Sequence, residues 1–395
     1  MKQIDTPQSE AQAIEAVASA LAERTPLRIT GGGTRAGLGR PVAAARGLSA
    51  AKLSGITLYE PAEMVIGAKA GTPLAEIEAT LAEKGQRLPF EPMDHRAILG
   101  STGTPTIGAV AAGNISGPRR VMAGAARDAL IGVRYVNGRA EAIKNGGRVM
   151  KNVTGLDLVK FQAGAYGTLG FLTEVTFRVV PRAEQEAVLV IEGLDDARAI
   201  AAMSTALTSP YEMTGTAHLP ADVAGGAART LFRLEGFADS VSYRTRALRH
   251  MLAGFGKAET LASDVGSKAF ADLRDAKPLA AEGGAIWRLS VKPSLAAQTV
   301  AQIRAQRAAR VFYDWGGGLI WLATGIESEA GAGVIRAAAK AAKGYATLQR
   351  APEEVRVTVP PFEPEAPALA ALTKRIKTAA DPAGIFNPGL MFAGV

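Results

Sequence analysis

Two-residue alternation in the stretch WRLSVK (287–292) sets Arg288, Ser290 and Lys292 on one face of a strand, opposite Trp287, Leu289 and Val291. Two cations beside a hydroxyl suit a carboxylate, because a guanidinium pairs with it through two parallel hydrogen bonds. The same residues would equally suit the solvated face of an outer strand. Taking a proton from a hydroxyl calls for a base that titrates near neutrality, most often histidine. Only His95, His218 and His250 are available. His218 closes a strand ahead of Pro220, and His250 lies in RALRHML on an amphipathic helix. Arg288, Lys292 and His218 are therefore the candidate catalytic residues. Scattered histidines and the absence of cysteine predict no metal site, no disulfide and no cysteine-ligated iron–sulfur cluster.

A different chemistry is suggested by PLRITGGGTRAGLGRP (26–41), where an apolar run closes on Gly31, Gly32 and Gly33, followed by Thr34 and Arg35. Gly31, Gly33 and Ala36 loosely meet the dinucleotide pattern G-x-G-x-x-G/A. That pattern must open a long helix, and Gly37, Gly39 and Pro41 forbid one here. What remains is a tight turn or a nest of converging amides that cradles an anion. Three further segments have compatible character: TIGAVAAGNISGPRR (106–120), KNVTGLDLVKFQAGAYGTLG (151–170) and IFNPG (385–389).

The elements that must position these loops follow from the apolar periodicity. AQAIEAVASALAER reads as a helix before the strand PLRIT; ITLYE and MVIGAKA read as strands, and residues 73–84 as a helix capped by Thr72. Residues 89–128 are rich in Gly, Pro, Ser, Thr and Asn, a long irregular stretch of the kind that function usually explains. ALIGVRYV and AEAIK are joined by Asn137-Gly138, a hairpin signal, and a long strand GTLGFLTEVTFRVVPR follows. From residue 186 four strand–helix–strand units succeed one another, predicting an antiparallel sheet with helices on one face. In the last unit Asp314, Trp315 and Trp321 flank Gly316–Gly318, either as a packed aromatic pair beside a turn or as an approach to a bound group.

The chain therefore reads as an α+β protein: residues 1–184 with subdomains of about 1–88 and 89–184, a unit of repeats at 185–350, and a returning segment at 351–395. Its net charge of +8 is dispersed and its aromatics are sparse, which argues against nucleic acid as a partner. No apolar run approaches the roughly 20 residues that span a bilayer. The start of the chain has no apolar signal core, so the expected location is cytoplasmic, with at most peripheral association at the inner membrane face through partners.

In their order, the four glycine-rich segments resemble the FAD-binding domain of the vanillyl-alcohol oxidase type, as found in FAD-linked 2-hydroxy-acid dehydrogenases. The resemblance covers residues 26–182 and 351–395, with the repeats as the family's cap. It implies that Gly31, Gly32, Gly33, Thr34 and Arg35 surround the pyrophosphate. Thr106, Ile107, Gly108, Gly113, Asn114, Ser116 and Gly117 would form a second segment along pyrophosphate and flavin. Gly155, Asp157, Gly167, Thr168, Gly170 and Phe171 would hold the nucleotide side, and Asn387 would meet the ring. The chain departs from the family pattern in having GAV where GG is usual and AYG where SEG is common. With Thr34 and Arg35 in the loop and no cysteine, the FAD is expected to be non-covalent.

Within the family the short chain, the WRLSV and DWGGGLIW stretches and the lack of metal histidines most resemble the FAD-binding subunits of bacterial glycolate oxidases. That likeness implies oxidation of glycolate, a small 2-hydroxy acid, to glyoxylate in a complex with a second flavoprotein and an iron–sulfur subunit. Three roles stay open for this chain: a substrate-oxidising subunit, an electron relay or scaffold, and a stand-alone D-2-hydroxy-acid dehydrogenase. The missing histidine cluster favours the relay.

Overall fold

The protein is described by a computed structural model over residues 3–147 and 155–395. Residues 151–154 of the KNVTG segment lie outside the described residues. Strand β1 (Gln3–Asp5) precedes helix α1 (Glu10–Ala22), which starts where the Ser9 hydroxyl accepts from the Gln12 amide. Ala13, Val17 and Ala20, spaced for one helical face, bury that face in the core. Strand β2 (Leu27–Thr30) then runs into the glycine loop and pairs in parallel with β3 (Arg46–Ser49), which also pairs with β1.

A second sheet holds β4 (Ile56–Glu60) and β5 (Val65–Lys69). Between them and the rest of that sheet come α2 (Leu74–Glu83), the short strand β6 (Gln86–Arg87) and α3 (Ile107–Gly113). Then β7 (Leu130–Val136), β8 (Ala142–Gly146) and β9 (Phe171–Arg178) complete an antiparallel sheet of order β4-β5-β9-β7-β8, while β10 (Val180–Pro181) pairs with β6. The expected division near residue 88 therefore differs from the sheet pairing, since β4 and β5 belong with β9. The long-range partner of VIGAK decides its sheet, and sequence proximity to the first strands does not. Thr72 is likewise not the cap of α2; its hydroxyl donates to Lys69 O at 2.7 Å and leaves Pro73 as the flanking residue.

The cap comprises β11 (Gln185–Glu192), α4 (Asp196–Leu207), β12 (Gly215–Leu219), β13 (Arg229–Gly236), α5 (Ala238–Met251) and β14 (Glu259–Thr260). A crossing helix α6 (Ser263–Arg274) leads to β15 (Ala285–Ser290), α7 (Ala296–Arg304), β16 (Arg310–Asp314), β17 (Leu319–Thr324), α8 (Ala332–Ala341) and β18 (Tyr345–Arg350). The eight strands form one antiparallel sheet of order β14-β11-β13-β12-β16-β17-β15-β18. Each half has the same permutation of strands, and the halves meet at β12 and β16 through Ala217 opposite Asp314 and His218 opposite Tyr313.

Alternation along the cap strands sends Leu189, Phe232, Trp287 and Leu289 into the core beneath the helices. Their neighbours Val188, Leu231, Ile286 and Phe312 join the core shared with the first domain. Helix α6 departs from the expected one-sided arrangement. It stands outside the repeats, and Phe270 and Leu273 pack into the shared core.

The two domains are also joined by ions. From the first domain come Arg87, Glu91 and Arg119; from β13 come Arg233 and Glu235, one strand face apart by two residues. Arg233 donates to both Glu91 carboxylate oxygens at 2.9 and 2.8 Å, and Arg119 donates to both Glu235 oxygens at 2.7 Å. Arg87 adds a 2.5 Å bond to Glu235. Burial alone would raise the Glu91 and Glu235 carboxyls, but the surrounding guanidiniums hold both below the ordinary range.

The final segment contains α9 (Pro367–Ala380), whose one buried residue is Lys377. Its ammonium donates to Asp381 at 2.7 Å and to the carbonyls of Thr168 and Phe386 at 2.8 and 2.7 Å. This clasp fixes the IFNPG turn against the loop that follows Tyr166. Among the described residues no helix is long and apolar enough to cross a membrane.

Candidate functional site

The glycine loop after β2 opens onto a cleft of about 960 Å³ lined by Gly31, Gly32, Gly33, Thr34 and Arg35. Its backbone lies against the turn at residues 103–106. A Cβ on Gly32 would sit 1.9 Å from Thr104 O, and one on Gly31 would sit 2.4 Å from Thr106 Oγ1. Only hydrogen fits there, so the loop's openness is a packing requirement as well as a means of approach to a ligand. Gly108 and Gly113 of α3 line the same cleft, as do Gly167, Gly170, Phe171 and Asn387.

Asn387 ties three of these segments together. Its Oδ1 accepts from Ile29 N at 2.8 Å and its Nδ2 donates to Tyr166 O at 2.8 Å. Both Asn387 (φ 42°) and Tyr166 (φ 51°) occupy the left-handed region, where strain persists only if the surroundings fix it.

Other predicted residues act beside the cleft. Ile107 is core and Thr106 precedes α3. Asn114 ends α3 and accepts from Arg127 N, Ser116 accepts from Ala126 N, and the Thr168 hydroxyl donates to Ala165 O. Gly117 packs on Glu91, where a Cβ would lie 2.4 Å from its carbonyl oxygen. Gly155 and Asp157 do not line the cleft; Asp157 caps the short helix Leu158–Gln162.

Whether the cleft suits a dinucleotide can be judged from its donors. Thr106 Oγ1 and Arg35 Nη1 are buried without a hydrogen-bond partner among the described residues, a costly state that ligand oxygens would relieve. Ala50, Ala70, Ala109, Ala112 and Leu172 supply apolar walls for a flat ring. The donor set and the glycine cradle fit FAD.

Above the cleft, the cap contributes Arg288 from β15, as the alternation of WRLSVK predicts. Its guanidinium lies 5.0 Å from the centre of the Trp315 ring, and Arg120 lies 4.9 Å from the same ring. Burial pulls the Arg288 pKa down, and it is influenced by Tyr345, Arg120 and Tyr166. Beside this roof Arg35 donates to Met93 O at 3.0 Å and to His95 Nδ1 at 3.2 Å. Burial first and Arg35 second hold the imidazole well below its ordinary pKa, so His95 is neutral. Asp314, next to Trp315, is pushed up to about 7 by burial, against the pull of the Trp315 amide.

Two candidates fall away. Lys292 lies beyond the end of β15 and is exposed, because Pro293 ends the alternation. His218 is fully buried on the helix side of the cap sheet. Its Nδ1 lies 2.9 Å from Thr230 Oγ1 and its Nε2 3.3 Å from Asp196 Oδ1. That pairing makes it part of the seam between the two cap halves. Arg120, Tyr166 and Tyr345 were not apparent as site residues, since each reaches the roof only through long-range packing. Among the described residues no histidine–carboxylate group could hold a metal ion.

Residues 1–146 match the family model described as FAD binding domain. The fold is shared with p-cresol methylhydroxylase, whose substrate-bound structure superposes at a TM-score of 0.73 over 99% of this chain and 88% of that one, at 14% identity. Fold and cleft thus define an FAD-binding oxidoreductase, and its cofactor is FAD. Glycolate oxidase subunit GlcE of Escherichia coli is 33% identical over 381 residues, 96% of each chain. The chain belongs to the GlcE family. A D-lactate dehydrogenase of Anaerostipes hadrus is 30% identical over 47% of this chain and 39% of its own.

Proposed function

We propose that this chain is the FAD-binding subunit of a glycolate-oxidising complex, and that glycolate is converted to glyoxylate at its own cleft. A second flavoprotein and an iron–sulfur subunit would complete the complex and carry electrons away. The reading is carried by the end-to-end likeness to GlcE, which includes the cap and not the FAD module alone.

Bound FAD supplies the hydride acceptor. Gly31–Thr34 would hold its pyrophosphate, and Asn387, Gly167 and Gly170 would border the ring. Arg288 would receive the substrate carboxylate through paired hydrogen bonds, with the Trp315 ring as a wall. His95 is not suited to take the hydroxyl proton, because its Nδ1 already accepts from Arg35. Asp314, raised to about 7, is the roof residue suited to accept a proton at its carboxylate near neutral pH.

One observation favours a second reading, in which the chain relays electrons and the second flavoprotein holds the substrate. His218, the histidine nominated as base, faces away from the cleft. A complex assembled with and without this chain, and assayed for glycolate-dependent dye reduction, tests membership in the reaction path. Omission is expected to abolish the rate; an undiminished rate would remove the chain from that path.

A further inference from the structure

The domain interface treats its arginines in two ways. Arg87, Arg119 and Arg233 are each paired with Glu91 or Glu235. Arg120 and Arg288 lie at the same interface, yet among the described residues neither has a carboxylate within 4.0 Å. Instead both guanidiniums rest on one indole, at 4.9 and 5.0 Å from its centre.

That indole is held with care. Trp315 has φ 53°, and Gly316 and Gly317 follow at 65° and 95°. A bulky residue in the left-handed region costs on the order of 1 kcal/mol. Two contacts hold it there: its amide donates to Asp314 Oδ1 at 2.7 Å, and its Nε1 donates to Gly117 O at 3.2 Å. The same Gly117 carbonyl accepts from the Arg120 amide at 3.1 Å. One carbonyl of the first domain thus fixes the ring from the cap and the backbone of Arg120 together.

We propose that Arg120 and Arg288 form a two-guanidinium clamp on Trp315 that grips the carboxylate end of small acids, taking dianions ahead of monoanions. The proposal rests on the substrate reading above and adds a recognition residue and a charge preference to it. Two neighbouring cations without an acid repel one another in a poorly solvated site. A monoanion offsets one of them; a small dicarboxylate offsets both and offers each guanidinium its own oxygens.

Calorimetric titration of the FAD-loaded protein with oxalate and with acetate tests this without turnover. Wild-type protein should bind one oxalate per chain, at least about tenfold more tightly than acetate. Arg120→Gln should weaken oxalate by about tenfold or more and narrow its advantage over acetate, with FAD content unchanged. Arg120→Lys, which keeps the charge, should retain part of the preference and covers the case of a poorly folded glutamine variant. Oxalate should also change the tryptophan fluorescence of the FAD-free protein, and that change should vanish in Trp315→Phe. Equal affinities for the two acids, or Arg120→Gln binding oxalate as wild type does, would overturn the clamp. Failure of the substrate reading looks different: oxalate still binds with its preference, but glycolate is not oxidised.

Discussion

Gly32→Val is expected to yield a protein that purifies colourless and binds added FAD at least about 100-fold more weakly than wild type. A Cβ at that position would meet Thr104 O at 1.9 Å, and the first-domain turn cannot yield, because Thr104 N donates to Gly32 O at 3.1 Å. Relief requires the loop at 31–34 and the turn at 103–106 to part. That movement takes the loop amides off their common focus. The cap, with its own core beneath its helices, should stay folded, so far-ultraviolet circular dichroism should change little while flavin fluorescence titration reports the loss. Acid precipitation of wild-type protein is the matching experiment on attachment. A white pellet under a yellow supernatant is expected for non-covalent FAD, and a yellow pellet would show a covalent bond.

Glu91→Gln carries the second large effect. It would leave Arg233, fully buried, without the carboxylate that takes two of its donors, and would also loosen Arg119. Removing one member of a buried pair typically costs about 3–5 kcal/mol. Urea unfolding should show that loss, and limited proteolysis should cut between β10 and β11 as the domains separate. Combining it with Arg233→Met should restore part of the stability, since the stranded charge is then removed as well. The sign of the pH dependence follows from the lowered carboxyls. Their contribution is complete above the ordinary value of 4.5 and is lost only as pH falls through the lowered values. The interface should therefore hold through mild acid.

The glycine loop, α1 and the four cap repeats were legible because each is written in local chemistry: consecutive glycines, a capped amphipathic helix, and alternation broken by Asp-capped helices. Arg288 was legible for the same reason, as its strand alternates cleanly between two cores. Lys292 was misplaced because alternation stops at the strand end, and no periodicity signals where that end lies. His218 looked like a free base, but its partners Thr230 and Asp196 come from a neighbouring strand and a helix start, which only the sheet order brings together. Arg120 lay unnoticed in SGPRR for a related reason: its meaning depends on Trp315, nearly two hundred residues away in sequence. The pairing of β5 with β9 was hidden in the same manner, as was the ion network that seats the cap.

These long-range contacts bear on what the chain does. The loop at 31–34 explains retention of FAD, but it is the roof of Arg288, Trp315 and Asp314 that would bring a substrate to it. Anaerobic mixing of the isolated, FAD-loaded chain with glycolate separates the two roles most directly. Prompt bleaching of the flavin absorbance is expected, slowed strongly by Arg288→Gln. Flavin that stays oxidised until the second flavoprotein is added would contradict the account and assign the chain to electron relay.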